Sequence, residues 1–168
     1  TNGNQTSGAG ASDYIVFITS LEAQDIANSG WNYKSASSYI TLSFWAKSSV
    51  AKTFDVKLTT VDGTPQQFNH QFALAQDTWT KVTKAIPGNS NLVFDNNASK
   101  GVEIQWDMYS GTNYTSGSTV DQWVTYNGNT SAPNQTADWY TTNDATFEIT
   151  AVQLEVGNVA TDFEHRSF

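Results

Sequence analysis

Rings set in polar turns are the residues best suited to chemistry in this sequence: Trp31 and Tyr33 in SGWNYKS, Tyr109 and Tyr114 in YSGTNYTSGST, and Trp139 with Tyr140 in TADWYTT. Trp123 and Tyr126 in DQWVTYN extend the set. A flat aromatic face stacks on the C–H side of a pyranose, and the Asn, Gln, Asp and Thr beside these rings can bond its hydroxyls. The competing reading of each ring is a cap on the core or a filler of a subunit interface, because large rings are normally buried. Trp45, on the parity opposite Phe44, has the same two readings, platform or packing. Trp79 and Trp106 fall on core parities and read as structural.

Catalytic chemistry finds less support. A glycosidase needs two carboxyl groups about 5 to 9.5 Å apart, one with a raised pKa. Glu103 and Asp107 share one strand face, too far apart for a retaining pair, and read as solvated carboxylates. His70 and His165 have no Ser or Cys nucleophile in a recognisable setting, and the Gly-rich stretches match no phosphate-cradling loop. No residue is assigned a catalytic role, and the chain reads as a non-enzyme.

Cysteine is absent, so a metal would have to be held by oxygen or by the two histidines. Asp13, Glu22, Asp25, Glu148 and Glu155 are conceivable ligands of a structural calcium ion between strand ends, although no local calcium-loop pattern joins them. No other cofactor is expected. Five Asn-x-Ser/Thr sequons, at Asn4, Asn97, Asn113, Asn129 and Asn134, are what an Asn- and Thr-rich chain produces by chance.

The elements that must carry these residues read as strands. Ile40, Leu42, Phe44 and Ala46 alternate with Thr41, Ser43, Trp45 and Lys47. Phe54, Val56 and Leu58 repeat the pattern up to an Asp62-Gly63 hairpin signal, and Phe68, Phe72 and Leu74 continue it with His70 in register. Further strands are expected over Trp79–Ile86, from Val102 to Met108, and over Gln122–Tyr126. Tyr14–Ser20 reads as a strand buried on both faces or lying at a sheet junction. LEAQDIANSGW fits a short helix or a strand with a turn. In the last strand, Phe147 and Ile149 hold one parity and Val152, Leu154 and Val156 the other, which a bulge near Thr150 and Ala151 would reconcile. Residues 109–119 and 127–143 read as long polar loops, of a length that is usually functional or disordered.

The 168 residues suit one domain. Residues 1–12 carry nothing to bury and read as a flexible linker or arm, leaving residues 13–168 as the domain. The sequence has 6 Trp, 7 Tyr and 9 Phe against a single Met, so the core must rest on rings. Scarce charge and abundant Asn, Ser, Thr and Gly favour short strands and polar turns over amphipathic helices. Together these features predict an all-β fold: an antiparallel two-sheet sandwich of the jelly-roll type. The net charge of −8 and the scattered Lys and Arg argue against nucleic acid or an anionic membrane face as partner. No apolar run approaches the roughly 18 residues of a spanning helix, so membrane insertion is not expected. Without an initiator Met, the chain reads as a piece of a longer or processed polypeptide.

Three segments, YITLSFWAKSS (residues 39–49), DTWTKVTKAIPGN (residues 77–89) and FEITAVQLEVGNVATDFEHRSF (residues 147–168), resemble in order and spacing the jelly-roll domains of bacteriophage tail-fibre and other virion surface proteins, particularly those of marine and cyanobacterial phages. That family is itself similar to carbohydrate-binding modules. The resemblance implies a virion surface protein in a fibre or spike, commonly a homotrimer with sibling subunits and other virion proteins as neighbours, that touches host-cell glycans as a receptor-binding module. Its alternatives are a structural trimerisation, capping or capsid-decoration domain, and a carbohydrate-binding module of a polysaccharide-degrading enzyme.

Overall fold

A computed structural model describes residues 1–5, 7–117, 119–133 and 135–164. Among the described residues there are eight strands: β1 (Tyr14–Glu22), β2 (Tyr39–Ser48), β3 (Lys52–Thr60), β4 (Gln66–Leu74), β5 (Thr80–Pro87), β6 (Lys100–Ser110), β7 (Trp123–Thr125) and β8 (Phe147–Val156). Two short helices, α1 (Ala23–Ala27) and α2 (Asp138–Thr141), and a 3-10 turn at Gly128–Thr130 lie in the connections. The strands form two antiparallel sheets, β1-β6-β3-β4-β7 and β5-β2-β8. Apart from the β3–β4 hairpin and the β6–β7 connection, successive strands change sheets, the wrapping that a jelly roll requires. The fold is the all-β two-sheet sandwich that the alternation predicts.

Each sheet turns one parity inward. Ile40, Leu42, Phe44 and Ala46 from β2 meet Phe54, Val56 and Leu58 from β3, Phe68 and Phe72 from β4, and Val102, Ile104 and Trp106 from β6, all buried. Rings interlock across the layer: Phe44 lies edge-on to Phe72 at 5.2 Å and to Trp106 at 5.7 Å, the geometry that aromatic quadrupoles favour.

The bulge in β8 is present. Ser43 of β2 opposes Gln153 while Trp45 opposes Thr150, so Ala151 and Val152 share the single position opposite Phe44. Ala151 takes the left-handed conformation, φ 51°. The extra residue lets Phe147 and Ile149 face the same interior as Leu154.

Three expectations need correction. Tyr14–Glu22 is not buried on both faces. It is the edge strand of the larger sheet, and Tyr14, Phe17 and Ile18 are exposed, because only β6 pairs with it and only one of its faces has the second sheet beneath. Trp79 lies before β5 on the odd parity, whereas Val82 and Ile86 on the even parity enter the core; its ring is exposed, with the Lys47 Nζ 5.1 Å from its centroid. Asp107 is not a solvated carboxylate but fully buried. The first residues bond to the segment around α2: the Asn2 amide donates to the carbonyls of Trp139 and Thr142, both at 2.8 Å, and Asp144 N donates to Gly3 O. The closing residues 165–168 of the third resembling segment, with His165, and the sequon residue Asn134 lie outside the described residues.

Candidate functional site

The outer face of the five-stranded sheet is polar yet covered. Residues facing the same way stand in three cross-strand rows: Gln71, Asp55 and Asp107; Asn69, Lys57, Gln105 and Ile18; and Gln67, Thr59, Glu103 and Ser20. Asp55, Lys57, Gln67, Asn69 and Asp107 are each at most 3% exposed. Their cover is the segment between β7 and α2, which folds back over the sheet and satisfies much of its polar surface. Lys57 Nζ donates to Ser131 Oγ at 3.0 Å and Asn69 Nδ2 to Thr130 O at 2.8 Å. Gln67 is bonded twice to Thr130 through Nε2 and accepts from Asn127 N.

At one end of this layer sits a carboxyl pair. Asp55 accepts from Gln71 Nε2 at 3.1 Å and from Gln135 Nε2 at 3.2 Å. Asp107 accepts through Oδ1 from Gln105 Nε2 at 2.8 Å and Ser110 Oγ at 2.9 Å, while its Oδ2 meets no partner among the described residues. Burial pushes Asp55 up to about 7, reinforced by Asp107 and opposed by the Gln71 and Gln135 amides. Burial likewise raises Asp107 to about 6, against the opposing pull of Lys57 and its hydrogen bonds. Desolvation lowers Lys52 to about 8 and lowers Lys57 as well.

Where the cover stops, toward β1, the layer opens into a groove of about 280 Å³. Its walls include Tyr14, Tyr114 and Tyr126, and its floor includes Lys57, Gln105 and Ser110. A second depression of about 240 Å³ shares Lys57, Gln105 and Tyr126 and leads on to Glu103 and Thr59. Tyr14 and Tyr114 meet edge to face at 5.8 Å, and the Tyr114 hydroxyl donates to Ser12 O, which fixes that wall. Lys57 Nζ lies 5.7 Å from the Tyr126 ring centroid. Tyr14 is 60% and Tyr126 44% exposed, so both keep a ring face for a ligand.

Two rings of the expected set, Tyr114 and Tyr126, are therefore brought together. The others are dispersed. Trp31 is buried on Phe94 and donates from Nε1 to Ser38 O, and Tyr33 packs edge-on to the same Phe94 at 4.9 Å. Tyr109, the penultimate residue of β6, is buried against Tyr140 at 4.7 Å. Trp123 lies on Phe68 and donates to Pro87 O at 2.7 Å. Trp139 donates from its buried ring to Thr146 O at 3.0 Å. Trp31, Tyr109, Trp123 and Trp139 are buried, as rings that cap the core would be. Trp45 keeps an exposed edge on the outer face of the smaller sheet.

The carboxylates considered for calcium are likewise spread out. Asp13 accepts from Gly10 N, Glu22 from Gln24, and Glu155 from Thr161, while Glu148 pairs with Lys47 at 2.8 Å. Asp25 lies in the first turn of α1. Among the described residues no three His, Cys, Asp or Glu side chains gather as a metal site.

Sequence reasoning missed Tyr14, Lys57, Gln105 and the Asp55–Asp107 pair. The signal was there in the outward parities of β3, β4 and β6, which read Asp-Lys-Thr, Gln-Asn-Gln and Glu-Gln-Asp. Three neighbouring strands rich in amides mark a face that bonds to something more ordered than water. Compared with known protein families, with curated proteins and with solved structures, the chain gives no match.

Proposed function

We propose that the domain is a non-catalytic carbohydrate-binding module whose site is the groove beside β1. One observation carries the reading: partly exposed tyrosine rings, Tyr14, Tyr114 and Tyr126, stand over a floor of Lys57, Gln105 and Ser110. A pyranose needs this combination, an aromatic face for its C–H side and a fan of donors and acceptors for its hydroxyls. The net charge of −8 favours a neutral sugar over an acidic one. The carboxyl pair with raised pKa values lies under Gln135 and Gln71 rather than open to the groove, which favours binding over hydrolysis. The three segments that resemble phage fibre jelly rolls favour a place on a virion surface, with a host glycan as the ligand and sibling chains as neighbours.

A glycan array followed by calorimetric titration tests the site. Binding of a neutral glycan that is weakened about fivefold or more by Tyr126→Ala and by Gln105→Ala is expected, since each stacking or hydrogen-bonding contact contributes about 1 kcal/mol or more. Unchanged affinity in both variants, or no glycan bound at all, would rule the groove out.

A second reading, a structural module that associates with its own kind, is favoured by one flank of the sandwich. Phe17, Val152 and Val156 hold core parities on the edge strands β1 and β8 yet are 45%, 39% and 50% exposed. Light scattering coupled to size exclusion separates the two readings, because a self-associating module without glycan affinity supports only the second.

A further inference from the structure

The cover over the polar face, residues 127–137, contains no charged side chain. It nevertheless closes over two carboxyl groups that stand directly opposite each other on β3 and β6, at 0% and 1% exposure. The cover reaches the pair through amides and carbonyls alone. Gln135 Nε2 bridges Asp55 Oδ2 and the carbonyl of Asp107, the latter at 2.9 Å, and Gln71 Nε2 bridges Asp55 Oδ1 and the carbonyl of Pro133, the latter at 2.6 Å. Among the described residues Asp107 Oδ2 is left with no partner, as is Gln135 Oε1.

The charges that face this pair all come from the body of the domain. Lys52 and Lys57 act on it from β3, Glu103 of β6 and Asp138 of α2 act in turn on those lysines, and β4 supplies the neutral Asn69 and Gln71. Both lysines are themselves tied to the cover or its end, Lys57 to Ser131 Oγ and Lys52 to the carbonyl of Thr136 at 2.6 Å.

We propose that residues 127–133 and 135–137 are a proton-held cap: a proton kept on the Asp55–Asp107 pair lets the cap dock on the sheet, and loss of that proton as pH rises frees the cap and uncovers the polar face. With one proton on the pair, only a single desolvated negative charge has to be held beneath the cover. With none, two desolvated anions face each other under a neutral cover, and the free energy of docking falls because only opening restores their hydration. The lysines move in the same direction. Lys52 is lowered to about 8, so the site loses positive charge in the same range in which it gains negative charge. Release of the cap would lengthen the groove, since Ser131 of the cap is part of its lining. The inference does not depend on which ligand the groove takes.

Amide hydrogen exchange on the whole chain, followed by NMR without any ligand, tests this. Asn127 N, bonded to Gln67 Oε1, and Ala132 N, bonded to Tyr114 O, report docking of the cap. After correction for intrinsic exchange, their protection should fall about tenfold or more between about pH 6 and about pH 8.5. They should also exchange faster than the amides of β2 and β6 throughout. Asp107→Asn keeps an oxygen for Gln105 and Ser110 and puts a neutral group at the unpartnered position, so its loss of protection should stay under about threefold. Asp55→Asn, the second variant, should flatten the profile in the same way. Protection that is constant in the parent, an equal fall in either variant, or cap amides as slow as those of the central strands would each overturn the proposal.

Discussion

Trp123 and Tyr126 lie on one short strand and its exit, and alanine at each should have very different consequences. Trp123 is 8% exposed, packs on Phe68 with ring centroids 5.4 Å apart, and donates to Pro87 O at 2.7 Å. Truncating a buried Trp costs about 3 to 5 kcal/mol, and the orphaned carbonyl adds about 1. Since β7 is joined to β4 by only three register pairs, local relaxation will recover part of this, so Trp123→Ala should cost about 4 kcal/mol. Tyr126 is 44% exposed, and its main interaction is with Lys57 at 5.7 Å, worth about 0.5 to 1 kcal/mol. Tyr126→Ala should therefore cost less than about 1 kcal/mol while weakening saccharide binding. Equilibrium unfolding in urea measures the first quantity for both variants, and titration of the folded proteins measures the second. A Trp123→Ala variant within about 1.5 kcal/mol of the parent, or a Tyr126→Ala variant as destabilised as Trp123→Ala, would refute the separation of structural from ligand-facing rings.

Two further outcomes follow from the same geometry. The native pKa values of Asp55 and Asp107 lie above their ordinary value of 3.8, so folding takes up protons; the contribution of these groups is fully present below about pH 4 and is lost as pH rises through about 6 to 7, and urea midpoints should be lower at about pH 8 than at about pH 5. Gly101 leaves no room for a side chain, because a Cβ there would stand 2.5 Å from the Ala23 Cα and 2.9 Å from its backbone nitrogen, which is itself bonded to Ser99 O. Gly101→Ala should cost more than about 2 kcal/mol, seen as a fall in thermal midpoint of at least about 5 °C.

The strands whose buried face could be read most directly from sequence are those with neighbours on both sides. Phe44, Val56 and Ile104 face one shared core, and the period of two in their strands reports it directly. For β1 the apolar run YIVFITS looks the same whether both faces are buried or one is bare, because sheet width is decided by pairings with residues about ninety positions away. Trp79 was misplaced by parity: it precedes the strand, and the odd positions of β5 face out. The site was harder still. Asp55 and Asp107 look like ordinary outward polar residues, and their burial comes from Pro133 and Gln135, whose segment reads only as a polar loop. Burial imposed by a distant, irregular segment leaves no periodic trace in the strand it covers. Tyr114 and Tyr126, singled out as large rings amid Asn, Thr and Gly, both line the groove. The same rule misled for Trp31 and Trp139, whose indole nitrogens bond carbonyls at the ends of the sandwich.

The left-handed kink at Ala151 has a consequence for insertions and deletions. A strand keeps time in steps of two, and this one is deliberately a step out: the beat that brings Phe147 and Ile149 inward is restarted once before Leu154 and Val156. Substituting Ala151 changes only the local comfort of the chain. Deleting it would put the strand back on a regular beat and turn one of its halves inside out, driving Gln153 and Glu155 toward the core or Phe147 and Ile149 toward water. The length of this segment is thus under tighter constraint than the identity of the residue that sets it.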